Sequence, residues 1–192
     1  MECYFDNSAT TRCSDKAAEK MMQVLCTDYG NPSSLHGKGM TAENYVKESR
    51  EIIAKSLKCE TKEIIFTSGG SEGNNLAIFG SVRANKRVGK HIITTAVEHA
   101  AVYMPFKELE RQGYDVTFLP TDEKGVISLN DLENALTDDT VLVAMMHVNN
   151  EIGSVMPVAE AGKLIHEKCP EALFFVDAIQ SYGKVPLIPK KM

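Results

Sequence analysis

The run Phe174-Phe175-Val176-Asp177-Ala178-Ile179-Gln180-Ser181 ends an apolar stretch in a carboxylate, and an amide follows three residues later. A buried strand written this way delivers an acid to whatever lies beyond its carboxyl end. Such an acid is stabilised by a cationic guest and is costly without one. A protonated pyridine ring meets that requirement. Pyridoxal phosphate acts as an electron sink only while its ring nitrogen is protonated, and a neighbouring carboxylate favours that form by opposite-charge attraction. The competing reading of Asp177 is a cap for the turn that follows it.

Three upstream segments suit the same guest. Ser68-Gly69-Gly70-Ser71-Glu72-Gly73-Asn74-Asn75 sits between a strand pattern and a helix pattern. Glycines let a ligand approach the backbone, and a helix start offers N–H groups and a positive dipole end. A phosphate fits there, with the Ser71 hydroxyl as a further donor. The lysine of a nucleotide P-loop is missing and GxGxxG spacing is absent, which disfavours nucleoside triphosphates and dinucleotides. A glycine-rich turn without a ligand is the alternative. Glu98-His99 follows a strand pattern ending at Thr95. An imidazole there can stack on a flat ring and carry protons near neutral pH, although a lone histidine is more often structural. His147-Val148-Asn149-Asn150-Glu151-Ile152-Gly153 follows the most apolar strand pattern. Two amides and a carboxylate at that point are costly unless used. An asparagine there can hydrogen-bond a ring substituent such as a phenolic oxygen; a polar turn relieved by Gly153 is the plainer account.

The elements that must position these residues alternate along the chain. Strands are expected near 64–66, 91–95, 114–118, 141–146 and 173–176. Helix patterns lie between them, with Leu76, Ile78, Phe79 and Val82 in one, Val102, Phe106 and Leu109 in the next, Leu129, Leu132 and Leu136 after a Ser128 cap, and Ala161, Leu164 and Ile165 in the last. Upstream, Ser14-Asp15 can cap a helix bearing Ala18, Met21, Met22 and Leu25, and a long amphipathic stretch runs from Ala42 to Leu57. This rhythm predicts an α/β fold, a mostly parallel sheet with helices on both faces. In such sheets ligands collect outside the carboxyl ends of the strands. Gly70, Ser71, His99, Asn150, Asp177 and Gln180 should therefore converge at one end.

The chain has 192 residues, 43% hydrophobic and 24% charged, which suits a soluble globular domain. Its net charge is −5 and no basic stripe occurs, so nucleic-acid and anionic-membrane binding are disfavoured. No apolar run approaches membrane-spanning length, and the start of the chain has no signal-peptide pattern. Five scattered cysteines without a CxxC pair read as reduced cytosolic thiols. No metal-ligand set is expected.

Six segments occur in order: Asp6-Asn7-Ser8-Ala9-Thr10-Thr11, Gly30-Asn31-Pro32-Ser33-Ser34-Leu35-His36, Phe66-Thr67-Ser68-Gly69-Gly70-Ser71-Glu72, Thr95-Ala96-Val97-Glu98-His99, His147-Val148-Asn149-Asn150-Glu151-Ile152-Gly153 and Val176-Asp177-Ala178-Ile179-Gln180-Ser181. Through them the chain closely resembles the N-terminal half of cysteine desulfurases, within the class V aminotransferase, pyridoxal phosphate fold-type I group. The resemblance implies that residues 1–192 form an N-terminal segment plus most of the cofactor-binding large domain, incomplete at the C-terminus, with the small domain absent. It implies phosphate-cup roles for Gly70 and Ser71, ring stacking and proton shuttling for His99, contact with the phenolic oxygen for Asn150 and Gln180, and pairing with the ring nitrogen for Asp177. Gly70-Ser71 stands where Ala-Thr is common in the family, and Ile179 where Thr is common.

The family's cofactor-linking lysine, in a Ser-Gly-His-Lys type segment, and its persulfide-forming cysteine have no counterparts in these residues. The chain alone is expected to be inactive. The full family reaction takes sulfur from L-cysteine, leaving L-alanine and an enzyme persulfide. The resemblance further implies a cytoplasmic homodimer, a sulfur-acceptor protein and a place in iron–sulfur cluster assembly. Another class V activity (selenocysteine lyase or aminotransferase) and a catalytically inactive binding or assembly module are the alternatives.

Overall fold

The computed structural model describes residues 2–191 and divides into two compact units, Met1–Ile65 and Phe66–Met192. In the first unit, α1 (Asp15–Cys26) starts where Ser14 has extended backbone and its Oγ accepts the Ala17 N–H at 3.3 Å, an N-cap reinforced by the Asp15 charge in the first turn. The apolar positions of α1 are exposed: Met21 by 58%, Met22 by 60% and Leu25 by 66%. α2 (Gly37–Leu57) begins five residues before the first apolar position, because His36 Nδ1 caps the Gly39 N–H at 3.4 Å. It ends at Lys58, which turns the chain through the left-handed region at φ 55.

The strand expected at 64–66 is not formed. Ile64 has extended backbone after a short 3-10 turn at Thr61–Glu63, and its carbonyl is taken by the Arg50 guanidinium, but no ladder partner lies alongside among the described residues. A strand needs a pairing neighbour as well as an apolar run, and the run alone cannot report one.

The second unit carries the sheet. β1 (His91–Thr95), β2 (Asp115–Leu119), β3 (Thr140–Met146) and β4 (Leu173–Asp177) are parallel, in the order β2-β1-β3-β4. β3 is buried at every position, as its unbroken apolar run requires. One face is covered by α3 (Gly70–Ala84) and α4 (Ala100–Arg111): Ile78, Val82, Val102 and Phe106 pack with Ile92, Leu142 and Ala144. The other is covered by α5 (Leu129–Ala135) and α6 (Val158–Lys168): Leu132, Ala161 and Ile165 pack with Ile93, Val143 and Met145. Ser128 Oγ caps α5 through the Asp131 N–H at 3.3 Å, as its position before the leucine pattern predicts.

The order has a consequence for function. From β1 the chain crosses through α4 to β2 on one side, and from β3 through α6 to β4 on the other. The strand order therefore reverses between β1 and β3, and the carboxyl ends of those two strands flank the crevice where open α/β sheets bind ligands. His91, at the opposite end of β1, is buried against Thr140 and Thr117 hydroxyls at 2.8 and 2.9 Å and is an internal tie of the sheet.

Candidate functional site

Asp177 is the last residue of β4 and is 8% exposed. Its Oδ2 accepts the Asn74 side-chain N–H at 2.9 Å, a contact between residues 103 apart in the chain. Its Oδ1 accepts the Ile179 backbone N–H at 3.0 Å, so the capping reading holds for one oxygen. A buried hydrogen bond to a charged group contributes about 1.5–3 kcal/mol. Here it also fixes the direction of the carboxylate, since Asn74 lies at the start of the second turn of α3 and Asp177 at the end of the sheet.

The start of α3 is the second component. Gly69 is extended at φ 167, and the helical ladder opens with the Gly73 N–H donating to the Gly69 carbonyl at 3.0 Å. The N–H groups of Gly70, Ser71 and Glu72 thus precede the helical ladder and point out of it. The Glu72 carboxylate turns back to the Ser68 N–H at 2.6 Å and to the Ser68 hydroxyl, which together hold it below its usual carboxylate range. That contact fixes the turn entering the helix. Gly70 and Ser71 are exposed.

A Cβ on Gly70 would overlap Ile179 Cδ1. Two of the three positions at which this chain departs from the resembled family, Gly70 and Ile179, therefore touch. Gly70→Ala is expected to destabilise by less than about 1 kcal/mol, because the overlapped atom is the free end of the Ile179 side chain, which is 56% exposed and can turn away. Adding Ile179→Thr should recover most of that loss, and urea melts of the four forms of the cycle measure the coupling. Strictly additive effects would contradict the contact.

His99 caps α4: its Nδ1 accepts the Ala101 N–H at 3.1 Å. The neutral ring therefore carries its proton on Nε2, and the exposed imidazole is oriented by the helix it starts. Asn150, half-buried, donates to Glu151 Oε1 at 2.9 Å. Gln180 is half-buried in the turn after β4. All six residues singled out from the sequence lie at the carboxyl ends of parallel strands or at the start of the helix tied to one of them by the Asn74–Asp177 bond.

Three further residues build the site without having been singled out as site residues. Asn74 orients Asp177. Asn149, 7% exposed, pins the turn after β3: its Oδ1 accepts the Glu151 and Ile152 N–H groups at 2.9 and 3.0 Å, and its amide donates to the Val97 carbonyl at 3.1 Å. Glu98 Oε1 accepts the Thr95 hydroxyl at 2.7 Å and the Met146 N–H at 2.9 Å. The last two side chains span the crevice between β1 and β3. The adjacent amides of Asn149-Asn150 marked the region, but only a fold shows which of the pair turns inward.

The electrostatics follow from burial. Desolvation pushes Glu98 up to about 7, further raised by the Asp177 charge and opposed by its two donors; burial lowers His147. The sign for stability follows directly. Between about 4.5 and about 7 the folded chain holds a proton on Glu98 that the unfolded chain has released, so raising pH through that window removes stability, roughly 3 kcal/mol in all. Glu98→Gln should abolish this component. Wild type should lose stability relative to the variant between pH about 4.5 and about 7, and not above; urea melts across pH report it, and a pH-independent difference would contradict the burial argument.

Thr94 Oγ1, Glu98 Oε2 and His147 Nδ1 are buried without a hydrogen-bond partner among the described residues. A helix start facing out, a fixed carboxylate and an oriented imidazole around such a crevice form a donor set suited to a phosphorylated pyridine. The residues present fit pyridoxal phosphate.

The family description Aminotransferase class-V matches residues 3–192. A "Cysteine desulfurase IscS" of Clostridium botulinum is 44% identical over 191 residues, covering 100% of this chain and 48% of that protein. A "Putative cysteine desulfurase IscS 1" of Bacillus subtilis is 42% identical over 184 residues, covering 96% and 48%. Among solved structures, a "NIFS-LIKE PROTEIN" superposes with a TM-score of 0.96 at 39% identity, covering 100% of this chain and 52% of that one. "SspA in complex with cysteine" gives 0.92 at 37%, covering 98% and 54%. The chain spans about half the length of the curated relatives it matches.

Proposed function

Since the chain belongs to the class-V aminotransferase family, we propose that it forms the cofactor-holding part of a cysteine desulfurase. The observation that carries this reading is the buried Asp177 carboxylate, held by Asn74 of the same helix whose first N–H groups face outward. Residues 1–192 then comprise an N-terminal segment and most of the large domain.

Bound pyridoxal phosphate supplies an electron sink for carbanion chemistry at an amino acid. The chain's own residues do the rest. The Gly70 and Ser71 N–H groups and the Ser71 hydroxyl bind the phosphate at the positive end of α3. Asp177 keeps the proton on the ring nitrogen, and Asn74 keeps Asp177 in line. His99 would stack on the ring and move a proton at Nε2. Asn150 and Gln180 hold the phenolic oxygen. The substrate is L-cysteine, the molecule named with one solved relative, and the products are L-alanine and a persulfide sulfur for an acceptor protein in iron–sulfur cluster assembly. A cytoplasmic homodimer is the working assembly. No helix among the described residues is long and apolar enough to cross a membrane.

These 192 residues hold no Ser-Gly-His-Lys segment, so the chain should bind pyridoxamine phosphate, which needs no lysine linkage, at one per chain. It should release no alanine from L-cysteine in the presence of pyridoxal phosphate at an enzymatic rate. Calorimetric titration and an alanine assay test both statements. Absence of binding would sink the cofactor reading, and sustained alanine release would show that the missing groups have substitutes.

A further inference from the structure

The mechanism above leaves Glu98 without a chemical task, yet its carboxyl group occupies the crevice itself. Oε1 alone ties the two strand ends, through the Thr95 hydroxyl on β1 and the Met146 N–H on β3. A glutamine oxygen would serve that purpose equally. Oε2 is buried and has no protein partner, which a purely structural tie does not require. Asp177 is the register partner of Met146, whose N–H Glu98 Oε1 accepts, so the two carboxyl groups sit at adjacent strand ends and the Asp177 charge opposes ionisation of Glu98. Two acids in one poorly solvated crevice do not both ionise readily. A cation docked at Asp177 relieves that repulsion.

We propose that Glu98 is a positioning residue linked to cofactor capture: its carboxyl group, tied to both strand ends through Oε1 and buried without a bond at Oε2, gives up its proton as a cationic ring docks against Asp177. This rests on the reading that the site takes a protonated pyridine. The Oε2–H bond breaks heterolytically, the electron pair stays on Oε2, and the proton passes to solvent; nothing is oxidised or reduced. The ionised group adds a second negative charge behind the ring. It also strengthens its bonds from Thr95 and Met146, which hold the turn that carries His99. The other titratable groups at this end are His99, exposed beside it in the chain; Asp122, Glu123 and Lys124 after β2, all exposed; His147 after β3, lowered by burial; Tyr182 and Lys184 after β4, both exposed; and Glu72 and Glu151, both exposed. Among the described residues the charge that bears on Glu98 is that of Asp177.

The test measures pyridoxamine phosphate affinity for the wild-type chain and for Glu98→Gln at pH about 5.5 and about 8.5. The two should bind alike at the acid pH. At the alkaline pH the variant should bind about tenfold more weakly, the consequence of a one-unit fall in the Glu98 pKa on binding. An analogue with carbon in place of the ring nitrogen should show no such pH-dependent gap. If the ligand binds but the wild-type-to-variant ratio does not change with pH, Glu98 is only a structural tie and the inference is overturned. If the ligand binds neither protein at any pH, the cofactor reading fails and takes the inference with it. Should the variant not fold, carboxyl ¹³C shifts of the labelled wild-type chain decide. Near pH 6.5 the Glu98 signal must move from the neutral to the ionised position on adding ligand, and a signal that stays overturns the proposal.

Discussion

Replacing Asp177 by alanine should reduce the affinity for pyridoxamine phosphate by about 100-fold or more, since a buried charge pair broken at one partner costs about 3–5 kcal/mol. Two effects combine. The ring nitrogen loses the carboxylate that favours its proton, and the Asn74 amide, itself 5% exposed, loses its acceptor in the protein interior. The second effect also lowers the stability of the chain, by about 1–3 kcal/mol for an unsatisfied buried donor. Asp177→Asn separates the two. The amide oxygen can still accept from Asn74 while its NH2 gives up the Ile179 N–H bond, so the variant should lose less stability than Asp177→Ala, yet it cannot hold a cationic ring and should lose most of the affinity. Ligand titration beside urea melts of both variants checks this. Equal affinity in Asp177→Asn and wild type would mean that the carboxylate charge is not what the site uses.

The 192-residue polypeptide on its own should self-associate. β4 is an edge of the sheet among the described residues, with Leu173 44% exposed and no neighbour on its outer side. The strand reads Leu-Phe-Phe-Val-Asp and, apart from the Asp177 carboxylate at its last position, has no charge, lysine or proline to discourage pairing with a second edge. Exposed apolar side chains elsewhere, Met21, Met22 and Leu25 on α1 and Leu35 before α2, add surface of the kind that marks interaction sites. Size-exclusion chromatography with light scattering and dye binding is the measurement. The expected result is a dimer or larger species with strong dye uptake, shifted toward monomer by Leu173→Lys. A monodisperse monomer with cooperative unfolding and little dye uptake would contradict it.

How much of this was legible in the sequence depended on what each signal encodes. Strands β1 to β4 were read within a residue at nearly every boundary, because a covered strand needs an unbroken apolar run and turn formers mark its ends. The segment 64–66 has the same run and no ladder, since pairing is a property of a neighbour. Asp177, His99 and the Gly70-Ser71 turn stood out because an acid, an imidazole or a glycine pair directly after an apolar run is unusual in itself. Asn74 did not. It sits in an ordinary helix pattern, and its importance comes from a residue 103 positions away. Glu98 was visible only as the neighbour of His99. Its buried, unpartnered oxygen arises where β1 and β3 lie side by side, a juxtaposition no local spacing contains. The contact between Gly70 and Ile179 is of the same kind: two departures from a family pattern, separate in the chain, meet in space.

The central claim is that Asp177 holds a protonated pyridine ring at the end of β4. The ring-nitrogen ¹⁵N shift of labelled pyridoxamine phosphate bound to the chain tests it most directly. The account predicts that the bound nitrogen stays in the protonated range to a pH well above that at which the free ligand loses its proton, and that Asp177→Asn returns it to the unprotonated range. A bound nitrogen that titrates as in free solution, or one that is unchanged by Asp177→Asn, would contradict it.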